Sequence, residues 1–289
     1  MQIRIGTRAS KLAMIQANIV ASQLHCPYEI IPITTSGDKE LSKTLYDIGG
    51  KALFVKELED ALFDDRIDIA VHSLKDVPGI LPQGLAIVAM MEREDPRDTL
   101  VSKIAKNIMG LPHNAIVGTS SPRRIAYLKY MRPDLQIVNL RGNVDTRVAN
   151  VVSGKCDATI LSHAGLKRLG LSENAICTPI DLSEMIPAIG QGVIAIETIE
   201  SKVHLYEYLN HQRTFDLIKA ERAFLEHLDA DCRTPAASYA RLESGQMIVD
   251  FMLASDDLSN LVTRREIGDI QNAYEIGRRI ALELKCEAK

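Results

Sequence analysis

Ile67-Asp68-Ile69-Ala70-Val71-His72-Ser73-Leu74-Lys75-Asp76-Val77-Pro78 joins a nearly continuous apolar run to a short charged segment closed by proline. An apolar run of this kind reads as a buried strand of a parallel sheet, and Leu85 to Met91 reads as another. Toward the N-terminus, Gln2 to Gly6 predicts a strand. A helix follows from about Ser10, whose hydroxyl can cap it, with Leu12, Ile15, Ile19 and Val20 on one face. Tyr28 to Thr34 is a further extended run. A polar stretch from about 39 to 52 reads as a mobile loop, before a helical pattern with Phe54, Leu58, Ala61 and Leu62. Strands alternating with helices predict an open α/β sheet.

Toward the C-terminus, the charged, proline-containing stretch Glu92 to Arg97 breaks the pattern. The same grammar then restarts with Ala115 to Gly118, Ile137 to Leu140 and Ala158 to Leu161. Val193 to Ile199 is again a strand, and its pattern fits either sheet. From Thr214 a strong helix carries Phe215, Ile218, Phe224, Leu225 and Leu228. Ser238 to Leu242 and Met247 to Leu253 flank a turn as a hairpin, and a final helix carries Ala273, Ile276, Ile280 and Leu284. The expected division is therefore residues 1–92 with 193–211 as one α/β domain, 93–192 as a second, and 212–289 as a small α+β domain.

The 289 residues are enough for two or three domains, and 46% hydrophobic with 25% charged residues is ordinary globular usage. No apolar run approaches the roughly 18 residues of a membrane span. A net charge of -4 gives no overall basic field for nucleic acid or anionic lipid. The five cysteines are odd in number and show no metal-site spacing. With an N-terminus unlike a signal peptide, they suggest reduced thiols in the cytoplasm. No phosphate-binding glycine fingerprint or nucleophile-elbow serine is present.

Arginines concentrate where strands give way to helices. Arg8 follows the first strand, Arg123 and Arg124 follow Gly118-Thr119-Ser120-Ser121-Pro122, and Arg141 follows Ile137 to Leu140, with Arg147 and Arg168 shortly behind. Such junctions line the ligand crevice of open α/β sheets. One arginine there is usually a solvated surface group, but six together imply a polyanionic ligand, because planar guanidinium groups grip carboxylates or phosphates. Ser120 and Ser121 read as helix caps, with Pro122 in the first helical turn. Asp76, beside Lys75 and Ser73, is either a turn cap or a carboxylate at the crevice, its ionised form favoured by the neighbouring cation and able to stabilise a cationic intermediate or relay protons to an amine leaving group. His72 reads as structural. Cys232, in a loop beside Arg233, has a better claim to reactivity than Cys26, Cys156, Cys177 or Cys286.

Seven motifs in order, Gly6-Thr7-Arg8-Ala9-Ser10-Lys11-Leu12-Ala13, His72 to Pro78, Gly118 to Ser121, Arg123-Arg124, Leu140-Arg141-Gly142-Asn143-Val144, Ala164 to Leu169 and Gly190-Gln191-Gly192, resemble the porphobilinogen deaminase family. The resemblance implies an α/β fold of two periplasmic-binding-protein-like domains with a cleft between them, plus a small C-terminal domain. It implies a transferase that condenses four porphobilinogen molecules head to tail, releasing ammonia, into the linear hydroxymethylbilane. The implied cofactor is a covalent dipyrromethane. By resemblance Cys232 carries it as a thioether, Arg123, Arg124, Lys75, Ser73 and Ser121 bind it, Asp76 is catalytic, and Arg8, Arg141, Arg147 and Arg168 bind substrate. A monomer acting on a small molecule, with no metal, nucleic acid or membrane partner, is expected. The rival readings are a non-enzymatic two-domain polycarboxylate-binding protein and an anion-binding regulatory module, since fold does not fix function.

Overall fold

A computed structural model describes residues 2–39, 55–229, 233–258 and 260–288. The chain opens with β1 (Ile3–Arg8), α1 (Lys11–Ala21), β2 (Tyr28–Ile33), α2 (Ser36–Lys39), α3 (Lys56–Phe63), β3 (Ile69–Ser73) and β4 (Leu85–Met90). A second unit follows: β5 (Asp98–Ser102), β6 (Ile116–Gly118), α4 (Pro122–Met131), β7 (Gln136–Val138), α5 (Val144–Val152), β8 (Ala158–Ser162), α6 (His163–Arg168) and β9 (Cys177–Pro179). Next come β10 (Ile194–Ile199), α7 (Gln212–His227), β11 (Ala236–Glu243), β12 (Gln246–Ala254), β13 (Leu261–Gly268) and α8 (Ala273–Glu287). Among the described residues no helix is long and apolar enough to cross a membrane.

The first sheet runs β2-β1-β3-β10-β4 and the second β7-β6-β8-β5-β9. They share one plan. In each, three strands pair in parallel, and a strand arriving from the other unit runs antiparallel between the third of them and the far edge. β10, whose sequence fits either sheet, therefore belongs to the first. β4 corrects the expectation of a parallel strand: it pairs antiparallel with β10. Hydrophobicity marks burial, and the direction of a neighbour leaves no trace in it.

β3 is buried on both faces because helices cover both. Ile69 and Val71 pack with Ala17 and Val20 of α1, whereas Ala70 packs with Leu58, Ala61 and Leu62 of α3, the alternation a strand imposes. Each fully buried aliphatic side chain contributes about 1.5–3 kcal/mol. In the second unit, Leu100, Val117 and Ile160 pack with Ala126 and Leu128 of α4, and Val101 and Leu161 pack with Val148 and Val151 of α5.

In the third unit α7 and α8 cover one face of the β11-β12-β13 sheet, where the rings of Phe224 and Phe251 stand 4.9 Å apart. Ala237, Met252 and Ala254, from its other face, join the core of the second unit. Glu221 of α7, wholly buried, takes both Nη atoms of Arg93 at 2.6 and 3.1 Å and the backbone N–H groups of Gly190 and Ala240 at 2.8 Å each. One carboxylate thus fastens the third unit to both segments that cross between the sheets.

Three strands, β5, β9 and β13, are absent from the sequence reading, and the strand expected over Ile137 to Leu140 pairs over Gln136–Val138. β5 begins directly after the charged stretch that reads as a breaker, and the outer strand β13 is half-exposed along its length. The loop expected over 39–52, together with Phe54, falls almost wholly outside the described residues.

Between β9 and β10, Gly190 and Gly192 occupy the left-handed region with φ of +71° and +92°. A Cβ on Gly190 would come within 2.8 Å of Leu74 Cγ, and one on Gly192 would overlap the backbone carbonyl oxygen of Glu94. Gly192→Ala is expected to lower stability by about 1–3 kcal/mol, because it adds a strained backbone to a clash with another main chain. The denaturant midpoint measures this, and an unchanged midpoint would show that the crossing segment accommodates a side chain.

Candidate functional site: a cation-lined cleft

A cavity of about 940 Å³ lies between the two α/β units, with the third unit closing part of its wall. Seven of its described lining residues carry a guanidinium or ammonium (Arg8, Lys11, Lys75, Arg123, Arg124, Arg141 and Arg147), and two carry a carboxylate (Asp76 and Asp145). In a chain of net charge -4, this is a strong local concentration of positive charge.

From the first unit, Arg8 closes β1, and the Ser10 hydroxyl caps α1 by accepting from the Ala13 N–H at 3.3 Å. β3 runs into a single tight helical turn over Leu74–Asp76. Leu74 and Val77 are buried on either side, and the Leu74 N–H donates to the Val193 carbonyl at 3.0 Å. Lys75 and Asp76 are thereby held at the cavity wall by a fixed turn. Ser73 Oγ accepts from Gln16 Nε2 at 2.8 Å. Asp76 has no side-chain hydrogen bond to a described residue, so its carboxylate is available to a ligand.

From the second unit, α4 begins with Ser121 as its cap residue and Pro122 in its first turn. The capping expected of the Ser121 hydroxyl is not made, and that group remains on the cavity wall. Ser120 Oγ instead donates to the Leu140 carbonyl at 2.8 Å, tying this loop to the segment that carries Arg141. Arg123 and Arg124 are buried and share one carboxylate, Asp98, with ion-pair distances of 2.7 Å each. Burial and the adjacent guanidinium groups of Arg124 and Arg141 push Arg147 down to about 10, and Asp76 acts in the opposite sense. Arg147 Nε donates to the Gly142 carbonyl at 2.9 Å.

Surrounding protein pushes Lys75 down to about 8, with Arg124 and Arg123 adding to the effect and Asp76 and Asp98 opposing it. Its side chain opens onto the cavity, so cleft water tempers that depression. These mutual influences link Lys75 and Asp76 of one unit to Arg123, Arg124 and Arg147 of the other. Titratable groups perturbed by one another inside a cleft are a mark of functional sites.

Arg168 departs from the group. It ends α6, donates to the Gly192 carbonyl at 2.7 Å, and is not among the cavity-lining residues. Cys232 lies outside the described residues, but Leu225 before it and Thr234 and Ala236 after it line the cavity. His72, read as structural, is buried with Nε2 3.0 Å from Glu197 Oε2. Sequence reasoning missed Asp98 and Gln191. Asp98 directly follows the Glu92 to Arg97 stretch that reads as a breaker, and Gln191 lies in the Gly190-Gln191-Gly192 motif; only tertiary contact brings Asp98 onto Arg123 and Arg124, and Gln191 onto Asp98 and Lys75.

A dipyrromethane, each of whose rings bears an acetate and a propionate, fits this donor set. Arg123 Nε is buried without a hydrogen-bond partner among the described residues, and Arg124, Lys75, Ser73 and Ser121 line the same cavity. Leaving a buried arginine donor unpaired is costly, and a ligand carboxylate is an acceptor that would satisfy it.

Two α/β units of one plan around a cation-lined cleft, buttressed by a third, define a class of cleft proteins suited to enclosing a polycarboxylate. Residues 3–207 match the family model described as porphobilinogen deaminase, dipyromethane cofactor binding domain, and residues 215–286 match the porphobilinogen deaminase C-terminal domain. The chain belongs to the porphobilinogen deaminase family. It is 50% identical over 290 residues to porphobilinogen deaminase of Rickettsia typhi, covering 96% of each chain. The same identity holds over 288 residues to that of Rickettsia prowazekii, again covering 96% of each. Among solved structures, it is similar to the periplasmic VFT2 domain of Bordetella pertussis BvgS, with TM-score 0.43, 15% identity and coverage of 78% of this chain and 92% of that one. It is also similar to the methionine binding protein MetQ, with TM-score 0.43, 13% identity and coverage of 78% and 94%.

Proposed function

We infer that the chain is a transferase that condenses four porphobilinogen molecules head to tail into hydroxymethylbilane, releasing ammonia. The observation that carries this is the convergence of Asp76 from one unit with the arginines of the other in a single cavity. A growing polypyrrole is a polycarboxylate, and several guanidinium anchors hold it in register. In this reading Cys232 carries the dipyrromethane, while Arg123, Arg124, Lys75, Ser73 and Ser121 hold its carboxylates. When bound, that group supplies the nucleophilic pyrrole carbon to which the first substrate is joined.

The remaining chemistry belongs to the chain. Arg8, Arg141 and Arg147 hold the carboxylates of incoming porphobilinogen. Asp76 stabilises the positive charge that develops on the substrate as ammonia departs, and an anion fixed beforehand requires no reorganisation at that moment. Arg168 acts at one remove, through the Gly192 carbonyl of the crossing segment. The sheet memberships support domains over 1–92 with 193–211, 93–192 and 212–289. The protein is read as a cytoplasmic monomer acting on a small molecule: the four unbridged described cysteines support a reducing compartment, and the net charge of -4 offers no basic field for nucleic acid or membrane.

Purified protein given porphobilinogen should release one ammonia per molecule consumed and yield a linear tetrapyrrole. Saturable binding without ammonia release would instead favour a polycarboxylate-binding protein. A pH dependence follows from Lys75, whose ammonium is pushed from the usual lysine range toward about 8, with cleft water tempering the shift. Its attraction for carboxylates is present at lower pH and lost as pH rises through its pKa. The kcat/KM for porphobilinogen, which reports free-enzyme groups, should therefore show a falling alkaline limb above about 8 and below the usual lysine value. Lys75→Arg should move that limb upward. An identical limb in the variant would assign it to another group.

A further inference from the structure

Asp98 occupies the first position of β5 with no exposed surface, and no step of the reaction described above uses it. Its Oδ1 accepts from Arg124 Nη2 at 2.7 Å and Nε at 3.1 Å, and its Oδ2 lies 2.7 Å from Arg123 Nη1. Arg123 Nη1 is also held by the Ile186 carbonyl at 2.8 Å. A guanidinium carries five N–H donors in a fixed plane. With one donor given to Ile186 and an ion pair made with Asp98, Arg123 Nε remains buried without a partner among the described residues.

Gln191 extends the arrangement to the crossing segments. Its Nε2 donates to Asp98 Oδ1 at 3.2 Å and to the Pro96 carbonyl at 2.7 Å, and its Oε1 stands 3.5 Å from Lys75 Nζ. Both segments that join the two sheets, and the cations on both sides of the cleft, thus meet around one carboxylate.

We propose that Asp98 is a positioning residue: it holds Arg123 and Arg124 side by side so that their remaining N–H edges present a fixed fork to ligand carboxylates, and Gln191 locks that fork to the crossing segments. Two adjacent buried guanidinium groups repel each other, and an anion wedged between them keeps them together. This rests on the reading of the cleft as a polycarboxylate site. Simple charge counting gives the opposite sign, because removing a negative group from a cationic site should tighten anion binding. Positioning requires that binding weaken, since misplaced planar donors lose their two-point grip.

The test compares wild type, Asp98→Asn, Asp98→Glu and Gln191→Leu, with thermal melting recorded for each. Measured in a Cys232→Ser background, where no primer occupies the fork, calorimetric binding of benzenehexacarboxylate, a polycarboxylate probe that needs no turnover, should weaken on the order of tenfold in Asp98→Asn. It should weaken in Asp98→Glu as well, because the charge is kept but displaced, and a few-fold in Gln191→Leu. The fraction of each purified protein carrying the primer mass should fall in the same order, and turnover per chain should fall with it while KM for porphobilinogen changes little. Equal or tighter probe binding in folded Asp98→Asn would overturn the proposal. So would a lowered melting temperature with unchanged probe binding and primed fraction, the pattern of a merely structural residue. If Asp98→Asn does not fold, wild-type behaviour of both Asp98→Glu and Gln191→Leu overturns it equally. Probe binding by a wild-type protein that neither carries the primer nor releases ammonia would strike the enzymatic reading and leave the positioning claim to the probe data.

Discussion

Asp76→Asn is expected to lower turnover on porphobilinogen on the order of a hundred- to ten-thousandfold with modest change in KM. The fixed turn between buried Leu74 and Val77 sets the position of residue 76, so the amide should stand where the carboxylate stood. Only the charge is lost. An interaction that strengthens as positive charge develops on the substrate acts in the transition state more than in the ground state, and its removal appears in kcat. Asp76→Glu retains the charge one methylene further out and should keep a detectable fraction of the activity. Adduct masses must be measured on the same preparations, so that a failure of primer assembly is not mistaken for a failure of catalysis. Wild-type turnover in correctly primed Asp76→Asn would assign the role to another group.

Cys232→Ser is expected to abolish the thioether adduct and, with it, turnover in freshly purified protein. A neutral hydroxyl is a far weaker nucleophile than a thiolate, and a primer that cannot be tethered loses the effective intramolecularity of each condensation. Two cysteines serve as internal controls. Burial pushes the thiols of Cys156 and Cys177 up, away from the reactive thiolate, so Cys156→Ser and Cys177→Ser should retain a full adduct. An unchanged adduct mass in Cys232→Ser would remove that residue from the mechanism.

The alternating pattern of strands and helices was legible wherever hydrophobic periodicity was strong: β1, α1, β3, α7 and α8 lie within a few residues of where the sequence places them. What escaped were elements whose identity depends on partners. β5 opens with an aspartate that is wholly buried, and a carboxylate between Arg97 and Thr99 reads as solvated until two guanidinium groups from α4 are brought onto it. The antiparallel insertion of β10 is likewise invisible locally, because the same apolar run fills a central strand in either direction. In the site, the cations were readable as a set because they cluster at strand ends. Their internal support was not, since Asp98 meets Arg124 from 26 residues away and Gln191 meets Lys75 from 116 residues away. Arg168 shows the converse limit, for its place in the sequence resembles that of the others while its guanidinium is held by the Gly192 carbonyl.

The intact mass of the purified protein, before and after limiting porphobilinogen, tests the central claim most directly. A wild-type chain that polymerises pyrroles on its own primer should carry an adduct equal to two deaminated porphobilinogen units on Cys232, and limiting substrate should extend it in steps of one such unit. A chain of unmodified mass that binds porphobilinogen without gaining these steps or releasing ammonia would contradict the account, and would leave the cleft as a binding site alone.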